Sequence, residues 1–132
     1  MKLKEFFENN SGRGILSTAD DDGNVNAAVY ATPHFMEDSQ IAFIMRDRLT
    51  HANIQKNPHA AYLFLAEGKG ISGIRLYLEK TAEEEDTPKI EELHRRKGKY
   101  AEEGEIGPRF LVYFKINKIL PLIGSGDPGV SV

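Results

Sequence analysis

Two arginines, Arg46 and Arg48, stand immediately before a segment with the marks of a helix start, Leu49-Thr50-His51-Ala52-Asn53-Ile54-Gln55-Lys56-Asn57-Pro58. Read locally, Thr50 is the N-cap, His51 to Ile54 are the first four helical positions, and Leu49 with Ile54 forms a hydrophobic staple. Pro58 disfavours helical backbone in the residue before it, so the helix stops by Asn57. Free backbone N–H groups and the positive end of the dipole attract anions at such a start. Arginine adds a full charge and can hold a phosphate through two parallel hydrogen bonds. The local chemistry therefore allows a phosphate site, and it equally allows a charged surface loop between a strand and a helix.

Other candidate constellations are weaker. His34, His51, His59 and His94 are scattered, with no i, i+4 pair and third ligand, so no metal site is expected. The run from Gly68 to Gly73, GKGISG, lacks the spacing and terminal Lys-Ser or Lys-Thr of a P-loop, and its glycines read as turn and kink residues. Arg75, on the strand that follows, reads as an outward charge. The basic run His94 to Tyr100 is bracketed by Glu83-Glu84-Glu85-Asp86 and Glu102-Glu103, the pattern of a solvated helix face. A net charge of -3 argues against nucleic-acid binding, which needs a concentrated basic face. No catalytic acid, base or nucleophile can be assigned from spacing.

The elements that must position these residues are mostly strands. Leu3, Phe6 and Phe7 mark a short amphipathic helix ended by Asn9-Asn10-Ser11-Gly12. Arg13 to Ala19 and Val25 to Thr32 flank an Asp/Gly/Asn turn and read as a hairpin. Gln40 to Arg46 is an apolar strand buried on both faces, and His59 to Glu67 another strand. Ile71 to Glu84 is long enough to bend through a barrel corner, with Gly73 as a kink. Thr87-Pro88 starts a helix with Ile90, Leu93, Lys97 and Tyr100 at helical spacing, and Pro108 to Ile123 is a final strand. The 124–132 tail, GSGDPGVSV, has no periodicity and is expected to be a flexible end. One domain over 1–132 follows, because the chain has the length of a single core and no repeat or linker divides it. Hairpin-rich strands interrupted by helices favour a mainly β fold, a small antiparallel barrel with peripheral helices, over a doubly wound parallel sheet. Composition is that of a soluble protein, no apolar run is long enough for a membrane span, and the absence of cysteine fits a reducing compartment, so a cytoplasmic location is expected.

In this order of elements, the stretch GILSTADDDGNVNAAVYATPHF, then an apolar strand, a positively charged loop, THANIQKNP, another apolar strand and GIRLYLEKTAEE, the chain resembles the pyridoxamine 5'-phosphate oxidase-like family. The resemblance runs from about Phe6 to about Ile123 and is greatest to the small single-domain FMN-binding proteins. It implies an FMN-binding split β-barrel and a homodimer with flavin at the subunit interface. Carried over by position, Arg46, Arg48 and Thr50 would contact the phosphate. Met45, Asp47 and Leu49 would supply backbone near the ribityl chain or ring. Val29, Tyr30, Ala31 and Thr32 match the segment that lines the isoalloxazine edge, which makes Tyr30 the aromatic residue placed nearest the ring. Asn53 matches a structural asparagine of the family's helix. Relatives often carry lysine where this chain has Leu49 and Thr50, so the arginines must supply the charge.

The implied function is electron or hydride transfer through bound FMN, with an unidentified electron donor or acceptor and the redox chemistry supplied by the flavin. True pyridoxamine phosphate oxidation is not expected, because no arginine and histidine pair near the C-terminus matches the family's substrate residues. The alternative is a non-catalytic binding module of the same fold, holding flavin, F420, haem or pyridoxal phosphate.

Overall fold

The computed structural model describes residues 1–68, 70–96 and 107–132. Its elements run α1 (Leu3–Asn9), β1 (Gly12–Ala19), β2 (Val25–Tyr30), β3 (His34–Phe35), β4 (Ile41–Arg46), α2 (Leu49–Lys56), β5 (His59–Ala66), β6 (Gly73–Glu85), α3 (Pro88–Arg96) and β7 (Arg109–Pro121). The strands form one antiparallel sheet in the order β2-β1-β5-β6-β7-β4-β3. This is the expected mainly β, split-barrel architecture.

Local chemistry explains the turns. At the β1–β2 hairpin, Asp20 Oδ1 accepts the backbone N–H groups of Asp22 and Asn24 at 2.9 and 2.8 Å, while Gly23 takes a φ of +85°. Both long strands, β6 and β7, are bent by register shifts between Tyr77 and Leu78 and between Lys80 and Ala82, and bulges of this kind let a sheet curl. Gly73, expected as a kink, is the first residue of β6, and the register shifts lie further along the strand. A Cβ there would lie 1.9 Å from the Phe64 carbonyl oxygen. One strand ends early against the pattern reading: β2 stops at Tyr30, where pairing with Gly14 ends, and Ala31 and Thr32 leave the sheet. Lys97 and Tyr100, expected to extend the last helix, lie outside the described residues.

The curled sheet has a concave face and an outer face, and side chains alternate between them. Leu16, Tyr62, Phe64, Leu76, Phe114 and Phe43 fill the concave face, closed at one end by Leu3, Phe6 and Phe7 of α1. Rings meet edge to face there, as between Phe7 and Phe64 at 5.0 Å. The outer face is covered only in part. Ile90 and Leu93 of α3 pack on Ala42 and Leu111 from β4 and β7. Outside β2, β1, β5 and β6 lie Val25, Ala27, Val29, Ile15, Ala61, Leu63 and Tyr77, over which no described helix packs, and Val25 and Val29 are 82% and 79% exposed.

The 124–132 segment has no helix or strand, but Ser131 bridges to Lys2, with Leu3 N–H donating to the Ser131 carbonyl at 2.7 Å. Arg75 ties its start to the sheet, donating from Nε to the Pro121 carbonyl at 2.8 Å and from Nη2 to the Gly124 carbonyl. Among the described residues, no helix is long and apolar enough to cross a membrane.

Candidate functional site

The strand-to-helix junction after β4 differs in register from the pattern reading. Arg48 N–H donates to the Arg46 carbonyl at 2.9 Å, closing a tight turn over Asp47. Arg48 is the residue at the N-cap, with extended backbone and no side-chain cap, and its carbonyl accepts Ala52 N–H at 3.0 Å. Thr50 is therefore not the cap but the second residue of α2. It is buried, and its hydroxyl accepts from Asn26 Nδ2 at 3.3 Å. The staple fails with it, because Leu49 is the first helical residue and stays 58% exposed while Ile54 enters the core. The helix end is as expected: Asn57 N–H closes on the Asn53 carbonyl, and Pro58 follows.

Buried polar contacts fix α2 against the sheet. Asn53 Nδ2 donates to Thr18 Oγ1 at 3.2 Å, both residues being almost fully buried, which gives Asn53 the structural role expected for it. On another side of the helix His51 stacks on Phe110, with ring centroids 3.7 Å apart and planes 10° from parallel. His51 Nε2 lies 3.2 Å from both Glu83 carboxylate oxygens. Lys80 and Gln55 also donate to Glu83 Oε1, at 2.7 and 2.6 Å. Burial pushes the Glu83 carboxyl up, but these hydrogen bonds outweigh it and hold it below the usual value.

The two arginines part company. Along β4, Ile41, Phe43 and Met45 enter the concave core while Ala42 and Ile44 face α3, so alternation puts Arg46 on the α3 side. There its cross-strand partner is Arg109, and Nη1 donates to the Gly107 carbonyl at 3.5 Å. Burial pushes the Tyr30 hydroxyl up, opposed in part by its hydrogen bond with the Thr50 hydroxyl and, least, by the charge of Arg48 beyond the strand. The fold thus brings Tyr30, Thr50 and Arg48 together, with Asn26 behind Thr50.

The remaining predicted positions spread around this junction. Met45 is fully buried in the core, so only its backbone could face a ligand, and Asp47 is exposed. Val29 points outward from edge strand β2, and Tyr30 points inward, its ring 5.8 Å from that of Phe43 and edge-on to it. Ala31 is exposed and Thr32 half-buried just past the strand end. The ring of Tyr30 thus packs on the core and its hydroxyl faces α2.

Asn26, Tyr62 and Gly14 also stand at this junction, none of them expected there from the sequence. Asn26 carried a signal, being the polar member of the inward series Asn26, Ala28, Tyr30. Tyr62 is fully buried, and its hydroxyl donates to the carbonyls of Tyr30 and Ala31 at 3.3 and 3.1 Å. Burial raises its pKa well above that of a free phenol. Among the described residues, no three His, Asp or Glu side chains gather into a metal site.

A family model described as pyridoxamine 5'-phosphate oxidase matches residues 2–122. No curated protein matches the chain. An FMN-binding protein from Syntrophomonas wolfei subsp. wolfei superimposes with a TM-score of 0.75 at 25% identity, over 92% of this chain and 84% of that one. HupZ of Group A Streptococcus gives 0.65 at 17% identity over 95% and 94%. A protein named F420 reductase gives 0.64 at 18% identity over 87% and 94%. The last two likenesses concern the fold alone.

Proposed function

The chain belongs to the pyridoxamine 5'-phosphate oxidase-like family, and from that premise we propose that it is a cytoplasmic, homodimeric flavoprotein that binds FMN non-covalently. The observation that carries this reading is the start of α2, where Thr50, buried beside Asn26 of β2 and hydrogen-bonded to Tyr30, follows two residues after the N-cap Arg48. Arg48 brings the charge, the Tyr30 hydroxyl, itself accepting from Thr50, brings a donor, and the first N–H groups of the helix, that of Thr50 among them, add their own. Such a set fits a phosphate monoester. The solved structure named an FMN-binding protein, which shares the fold over most of both chains, supports the choice of ligand.

The dimer reading rests on the outer face of β2, β1, β5 and β6. A surface with Val25, Val29, Ile15, Leu63 and Tyr77 in neighbouring rows has the apolar character of an interface core. It also borders Ala31 and Thr32, so a second copy seated there would wall the place proposed for the ring. Bound FMN supplies hydride or electron transfer. The chain's own part is to hold the phosphate with Arg48 and Thr50, to present backbone from the end of β2, and to exclude water at the subunit boundary.

Titrating the purified protein with FMN tests this. Quenched flavin fluorescence and a bound visible flavin spectrum, at about one flavin per chain, are expected. A colourless protein that leaves FMN fluorescence unchanged would overturn it. F420 is the competitor to run in the same titration, given the neighbour of that name. Bleaching of the complex by NADH or NADPH without oxygen would mark a reductase, and persistent colour a binding or one-electron role.

A further inference from the structure

The end of β2 is held by a residue from two strands away. Tyr62, on β5, sends its side chain across the concave face of β1 at Gly14, which pairs with Phe64 on one side and Tyr30 on the other. A Cβ on Gly14 would lie 1.8 Å from the Tyr62 hydroxyl oxygen and 2.2 Å from the ring carbon bearing it. Glycine is what lets the ring through. The hydroxyl then donates, shared, to the carbonyl of Tyr30 and that of Ala31.

Successive carbonyls of a regular strand point to opposite edges, so two of them on one hydroxyl mark where β2 leaves that pattern. A trans peptide carries its C=O and N–H on opposite sides. With both carbonyls drawn toward the core, the N–H groups of Ala31 and Thr32 turn away from it, toward the exposed side of Ala31. We propose that Tyr62 is a positioning residue, whose hydroxyl orients the 30–31 and 31–32 peptides so that their N–H groups face the acceptor atoms along the edge of a flavin ring. This rests on the flavin reading above. It acts on the ring end of the ligand, whereas Arg48 and Thr50 act on the phosphate end.

Tyr62→Phe removes the hydroxyl and keeps the ring. We expect it to loosen FMN and riboflavin by the same factor, about three- to tenfold for one lost hydrogen bond, and to shift the visible spectrum of bound flavin. Ile74→Val, a core trimming without a hydrogen bond, should leave that spectrum unchanged. In the ligand-free protein the amide resonances of Ala31 and Thr32 should move in Tyr62→Phe. Unmoved resonances would overturn the clamp, and moved resonances with wild-type flavin affinity and spectrum would overturn the role toward the ligand. Weakening of FMN alone would also overturn it, by placing the effect at the phosphate. A wild-type protein that binds no flavin would sink the functional reading and the ligand-directed role together, while the resonances still decide the clamp.

Discussion

Replacing Arg48 and Arg46 one at a time separates two readings that a double replacement would merge. Arg48 lies near Tyr30 and Thr50, whereas Arg46 is on the α3 side of β4, reaching Gly107. A hydrogen bond to a charged group is worth about 1.5–3 kcal/mol, or roughly ten- to a hundredfold in affinity. Because Arg48 is exposed, solvent screening pulls the expectation to the lower end, about tenfold at moderate salt, and shrinks it further as salt rises. Arg48→Ala should therefore weaken FMN about tenfold and leave riboflavin, which lacks the phosphate, within about twofold. Arg46→Ala should change neither by more than about twofold, and the double variant should match Arg48→Ala. Fluorescence-quenching titrations with both ligands at two salt concentrations read all of this. Equal losses for Arg46→Ala and Arg48→Ala, or equal losses of FMN and riboflavin in Arg48→Ala, would refute the assignment of the phosphate to the Arg48 side.

Two further predictions concern the scaffold. The Glu83 carboxyl is held below its usual pKa in the folded protein, so its contribution to stability is full above the unfolded carboxylate value and disappears as pH falls through the folded one. Glu83→Gln should accordingly flatten the fall in Tm between about pH 5 and pH 3, and a melting series showing the same acid slope in both proteins would contradict it. At the outer face, Val29→Asp should keep the circular dichroism of the wild type, since this side chain is 79% exposed in the single chain. It should also convert a dimer to a monomer in sedimentation runs, because an unpaired charge cannot be buried cheaply in an apolar interface. Wild-type protein that sediments as a monomer at all concentrations would remove the dimer from the proposal.

The fold was legible because strand alternation and turn residues act locally. The period of Phe110, Val112 and Phe114 marks one face of β7 whatever the rest of the chain does, and Asp20 to Asn24 can make its turn unaided. The site was less legible because it depends on which face each alternating residue meets. Arg46 and Arg48 are two apart and look equivalent in the sequence, yet the strand ends between them, so one follows the α3 face and the other the turn. Thr50 had every local mark of a cap, but Asn26, on β2, takes its hydroxyl from below and the tight turn at Asp47 starts the helix earlier. Tyr62 is a core side chain on an alternating strand. Its hydroxyl matters only through the gap at Gly14, a contact no period can announce. The outer face makes the same point in energetic terms. Ile15, Val29 and Leu63 alternate as a strand core should, and only the placement of α3 over the other half of the sheet shows that no described helix covers them, which makes them the surface a second copy is proposed to bury.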